Sequence, residues 1–140
     1  MKIDWLIEYP LGFKGRSLLI EDDGDVCYAY IATQEGFIAH VWLYNRTEAP
    51  VEWPWLAKNF NPDVPQKNPV NFVSTSAFQL PISEEEFHIE SSISANSVNG
   101  VVKVFLRKRL IACLNEDVGV GQSLLASKAG PLATPLLPQF

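Results

Sequence analysis

Hydrophobic and polar positions alternate most clearly over residues 16–44, where three strand-length runs share one register and sort their side chains onto two unlike faces. Asp23-Gly24 is a dipeptide favoured in two-residue hairpin turns, whose central residues need φ > 0. A turn there sets Ile20 opposite Cys27 and Leu18 opposite Ala29. Gln34-Glu35-Gly36 makes a second, three-residue turn with Gly36 as its left-handed residue, which sets Ile31 opposite Ala39, Ala29 opposite Val41 and Cys27 opposite Leu43. One face is then plain core: Leu18, Ile20, Cys27, Ala29, Ile31, Phe37, Ala39, Val41 and Leu43. The other carries Ser17, Glu21, Tyr28, Tyr30, His40, Trp42 and Tyr44, an aromatic surface with polar handles.

Around this meander the pattern predicts further elements. Ile3, Trp5, Ile7 and Tyr9 alternate with polar residues, the period of a half-buried strand, until Pro10, Gly12 and Gly15 break it. Residues 45–81 have the opposite texture, with Pro50, Pro54, Pro62, Pro65, Pro69 and Pro81 spaced through them. Trp53, Trp55, Leu56, Phe60, Phe72 and Phe78 are too apolar for a solvated linker, so the segment is expected to pack down, with helical turns at Pro54 and at Pro69, the second capped by Asn68. Over residues 87–114, Asn99-Gly100 is a hairpin signal that sets Ala95 opposite Val104, Ile93 opposite Leu106, Ile89 opposite Leu110 and Glu90 opposite Arg109. Gly119-Val120-Gly121 reads as a turn, and residues 123–129 as a short helix with Ser123 at its N-cap and Gly130 just past its end. The whole predicts a single domain over residues 1–140, all-β or β-rich α+β. Its sheets are mainly antiparallel meander, with short helical turns in the central and C-terminal segments.

Composition narrows the classes of function. A chain of 140 residues buries enough surface to need no metal or disulfide. With 47% hydrophobic and 19% charged residues it is globular in composition, and its apolar runs fall far short of a membrane span. Asp4 interrupts the position where a signal peptide needs an apolar run, so a cytoplasmic location is expected. Cys27 and Cys113 lie in strand-like runs and read as buried thiols. A net charge of −5 disfavours nucleic acid, whose binding rests on cationic side chains, and favours a basic protein partner.

Candidate chemistry is sparse. His40 and His88 have no second ligand at zinc spacing, Glu21-Asp22-Asp23-Gly24-Asp25 lacks the pattern of a calcium loop, and no nucleophile signature surrounds any Ser or Cys. No cofactor is therefore expected, and an enzyme is the lesser reading. Glu84-Glu85-Glu86 after Ser83 fits a first helical turn whose acids complement the dipole, and Lys103, Arg107, Lys108 and Arg109 fit a solvated strand face. What remains is the aromatic face. Each Tyr or Trp carries about 150–250 Å², so Tyr28, Tyr30, Trp42 and Tyr44 together exceed the bare patch a monomer usually tolerates. Either the proline-rich segment folds over it through Trp53, Trp55 and Phe60, or it is left as a groove rimmed by His40 and Glu21. The candidate binding residues are accordingly Glu21, Asp22, Asp23, Asp25, Tyr28, Tyr30, His40, Trp42 and Tyr44.

The succession Trp5-Leu6-Ile7-Glu8-Tyr9-Pro10, Tyr28-Ala29-Tyr30, Val41-Trp42-Leu43-Tyr44-Asn45-Arg46 and Gly130-Pro131-Leu132 resembles small bacterial immunity-type proteins of polymorphic and contact-dependent toxin systems. The resemblance implies a cytoplasmic inhibitor that occludes the active site of a cognate toxin, often a nuclease with a basic cleft. It transfers no contact residue. A small-ligand binder or enzyme using the aromatic face, with His40 and Glu21 as polar groups, is the alternative.

Overall fold

The structure, a computed structural model, describes residues 3–61, 64–75, 78–93 and 100–136, and the side chain of Ile93 falls outside that description. It is β-rich. Strands β1 (Trp5–Pro10), β2 (Ser17–Asp22), β3 (Val26–Thr33) and β4 (Gly36–Asn45) form one antiparallel meander, and β5 (Phe87–Ile93), β6 (Gly100–Leu106), β7 (Arg109–Asn115) and β8 (Val118–Ser123) form another. The two join in one mixed sheet of order β1-β2-β3-β4-β8-β7-β6-β5 through a parallel contact of His40 with Val120, and β9 (Thr134–Pro135) adds to β8 in parallel. The free edges approach each other: Trp5 of β1 meets Phe87 of β5 edge-on at 6.5 Å, and the Ser91 hydroxyl donates to the Leu11 carbonyl. The sheet thus nearly closes around a core in which Leu18, Ile20, Ala29, Ile31 and Val41 face Val102, Val104, Leu106 and Leu114.

The registers depart from the sequence reading in instructive ways. Ile31 does lie opposite Ala39 and Ala29 opposite Val41. In the first hairpin, however, Ile20 lies opposite Ala29 rather than Cys27, and Leu18 opposite Ile31 rather than Ala29. The reason is the tip: the Asp22 carboxylate accepts from Gly24 N–H, and the Asp23 carboxylate from Asp25 and Val26 N–H, so side chains close a wider turn than the two-residue one. Gly24 still supplies the left-handed residue, at φ 92°. A displacement of two residues keeps every side chain on its face, because the strand period is two.

Two bulges in the β3–β4 ladder do change faces. One, between Ile31 and Ala32, puts Phe37 opposite Ala32, so Phe37 is not core: it is half-exposed and stacks on Tyr30 at 4.3 Å. The other, between Cys27 and Tyr28, puts Tyr44 rather than Leu43 opposite Cys27. Tyr44 thereby leaves the Tyr28 and Trp42 face for the inner one.

In the second meander Ile89 pairs with Val104, not Leu110, Ile93 with Gly100, not Leu106, and Glu90 with Lys103, not Arg109. Ala95, Ser94 and Asn99 lie outside the described residues. A further hairpin intervenes at Arg107-Lys108, where both residues adopt positive φ of 49° and 70° without glycine, which is why turn composition did not reveal it. Residues 119–121 belong to β8 rather than a turn, and residues 123–129 form no helix: Ser123 ends β8.

The central segment packs down as expected. Pro54–Leu56 is a 3-10 turn opened by Pro54, and Val70–Phe72 is another, though Pro69 and not Asn68 stands at its N-cap. Glu84–Glu86 is a third, closed by a capping box between Ser83 and Glu86. Among the described residues no helix is long and apolar enough to cross a membrane.

Candidate functional site

The predicted site residues separate into three environments. Tyr28, Tyr30 and Trp42 share the outer face with Glu21 and His40, since Glu21 pairs with Tyr28, Tyr28 with Trp42 and Tyr30 with His40. The three rings are buried, so of the two alternatives read from the sequence the covered face is the one observed. Gln66 and Asn68 of the central segment lie over Tyr28 and Trp42, and Phe37 stacks on Tyr30. The Tyr28 hydroxyl donates to the Gln66 carbonyl at 2.6 Å, and the Trp42 indole N–H donates to Asn45 Oδ1, which also accepts from Asn68 N–H. Asn45 Nδ2 returns a bond to the Asn68 carbonyl, so one side chain clamps the segment onto the sheet. On the β8 side of β4, Trp42 N–H donates to the Leu132 carbonyl, and His40 Nε2 lies 2.9 Å from the Pro131 carbonyl. Burial raises the pKa values of Tyr28 and Tyr30, with Glu21 adding to the rise at Tyr30, so both phenols stay neutral.

Tyr44 sits instead with Asp22, Cys27 and Arg46 at the end of the barrel interior. The Asp22 carboxylate is fully buried and accepts from the Tyr44 hydroxyl at 2.7 Å and from Arg46 Nε at 2.7 Å. Arg46 also donates to the Pro81 carbonyl, lies over the rings of Trp5 and Tyr44, and donates its backbone N–H to the Asp25 carbonyl. This network ties tip, segment and barrel seam together. Its groups are consumed by one another, and the Cys27 thiol, raised well above its ordinary pKa chiefly by burial, is no nucleophile. Asp22 is therefore a structural anchor, although it reads as one of a run of surface acids.

Asp23, Asp25 and Glu21 remain accessible to different degrees at the tip. Glu21 has a raised pKa from burial first and then from Asp23 and Asp4, so the acids at this end of the sheet repel one another. Elsewhere Arg46 and Arg107 hold Asp22 and Glu86, while Lys14 and Arg16 converge on Glu116. Among the described residues, the acid surplus thus falls to carboxylates outside these pairs, including Asp23, Asp25, Glu48, Glu52, Glu84 and Glu85.

The cleft beside Trp42 and Tyr44 measures about 270 Å³. That is below the roughly 300–1,000 Å³ of ordinary ligand pockets. A larger open groove, about 570 Å³, lies on the covering segment and is lined by Glu52, Trp53, Pro54, Leu56 and Ala57. Of its lining residues Leu56 is 73% exposed and Trp53 37% exposed, and Val51, earlier in the same segment, is 79% exposed. Trp55 and Phe72 pack inward beside them. The sequence reading gave this stretch the role of cover, and no local pattern distinguishes its outward residues from its inward ones. Among the described residues, no cluster of His, Cys, Asp and Glu could hold a metal ion.

Comparison with protein-family models, curated proteins and solved structures yields no match.

Proposed function

We propose that this protein is a binding protein of the immunity type, inhibiting a cognate toxin domain of basic character by covering its active site. The observation that carries the reading is the exposed apolar groove wall of Trp53 and Leu56, which the covering segment presents beside Glu52. Large apolar side chains left bare on a clamped segment are what a protein interface buries at its centre, with charge at the rim. The small size of the cleft beside Trp42 favours a protein partner over a small ligand bound on the aromatic face.

The test is inhibition of a cognate toxin, encoded next to this chain, by wild type and by Leu56→Asp. Leu56 is exposed, so the variant should fold with an unshifted melt. Central interface residues cost about 2 kcal/mol or more when lost, so the dissociation rate should rise at least about tenfold. An unchanged rate would remove the groove wall from the interface.

A further inference from the structure

Trp53, Trp55 and Phe72 form a box of three rings: Phe72 meets Trp53 edge-on at 5.0 Å and Trp55 edge-on at 4.9 Å, and the two indoles lie 5.5 Å apart. A cation already lies against two of its rings. The ammonium of Lys128 lies 4.4 Å from the centroid of Phe72 and 5.4 Å from that of Trp53, and Lys128 itself is exposed. The loop that carries Lys128 is hooked to the box by the backbone, since Ser127 N–H donates to the Phe72 carbonyl and Ser127 Oγ to the Asn71 carbonyl. Trp53 belongs at the same time to the wall of the open groove, where Glu52 is the charged residue among the described lining.

We infer that this box and groove form a cation-recognition site, which takes an arginine or lysine side chain from a basic protein partner and exchanges it for Lys128. The inference deepens the inhibitor reading and rests on it for the identity of the partner. Its chemistry is independent of that reading. The negative ring face attracts a cation, Glu52 supplies the balancing carboxylate, and Pro54, Leu56 and Ala57 accept the aliphatic stem. The chain's net charge of −5 attracts such a partner over longer range. Lys128 lies against the Phe72 and Trp53 rings until the incoming group replaces it, so its ammonium competes directly with the ligand.

The experiment titrates the intact protein with N-acetylarginine amide and, separately, with its uncharged isostere N-acetylcitrulline amide, following the indole N–H resonance of Trp53, assigned through Trp53→Phe. The arginine probe should shift that resonance and the citrulline probe should not. Removing the competing ammonium in Lys128→Met should tighten arginine binding by about two- to fivefold, the size of one exposed cation–π contact. Glu52→Gln should weaken it by a similar factor, and both residues are exposed, so neither change threatens the fold. Equal response to the two probes, or none to either, overturns the site. Weaker binding by Lys128→Met overturns the exchange. If the arginine probe binds as expected while the cognate toxin is not inhibited, the site stands and the inhibitor reading fails; inhibition without probe binding gives the converse.

Discussion

Replacing Arg46 by Met asks how much of this fold hangs on one buried ion pair. The Asp22 side chain is 0% accessible and that of Arg46 11%, with Nε 2.7 Å from the carboxylate. Removing one partner of such a pair leaves an uncompensated buried charge and costs about 3–5 kcal/mol. Two features place the expected loss near the lower bound, about 3 kcal/mol on that scale: the Tyr44 hydroxyl and Gly24 N–H still serve the carboxylate, and Met keeps an apolar stem against Trp5 and Tyr44. For a chain of this length each kcal/mol moves the melting temperature by roughly 3 °C, so the shift should be about 10 °C. Urea unfolding followed by tryptophan fluorescence measures the free energy, and a thermal melt the shift. The double variant Asp22→Asn with Arg46→Met should recover part of the loss, because a neutral amide needs no counter-ion. A loss below about 1 kcal/mol, the range of exposed pairs, would refute the reasoning and mean that water reaches Asp22.

Gly121→Ala should destabilise by about 1–3 kcal/mol, the cost of overpacking a close-packed core, because its Cβ would stand 2.7 Å from the Cys113 carbonyl oxygen and 2.9 Å from Val41 Cβ; an unshifted urea midpoint would contradict this seam between β4, β7 and β8. Glu116 is affected by burial, which raises its pKa, but the Gly100 N–H, the Lys14 hydrogen bond and the charges of Lys14 and Arg16 outweigh that and hold it below its ordinary 4.5. A carboxyl depressed in the folded state adds stability above its unfolded pKa and loses it as pH falls through the folded one. Glu116→Gln should therefore be less stable than wild type at neutral pH and converge with it as pH falls through the lowered folded pKa, and a gap independent of pH in urea titrations would sink the assignment.

The sequence by itself determined the alternation that makes this a β-rich chain. Leu18, Ile20, Ala29, Ile31, Ala39 and Val41 were readable as interior because a period of two survives any even displacement of register, and the β2–β3 and β5–β6 ladders were both displaced by even numbers. Local chemistry was legible too. Ser83 with Glu86 closes its own box, and Pro54 opens its own turn, within a few residues of chain. Tertiary structure alone decided what lies far apart in sequence: the bulge that carries Tyr44 to Asp22 and Cys27, the Asn45 clamp that covers Trp42, and the gathering of Trp53, Trp55 and Phe72 around Lys128. Bulges cost one residue and leave no trace in a hydrophobic pattern, and Arg107-Lys108 turns without glycine because the strands on either side hold it. Whether an apolar residue of the covering segment faces inward like Phe72 or outward like Leu56 depends on how a 3-10 turn seats against the sheet, a long-range choice that the run of residues does not encode.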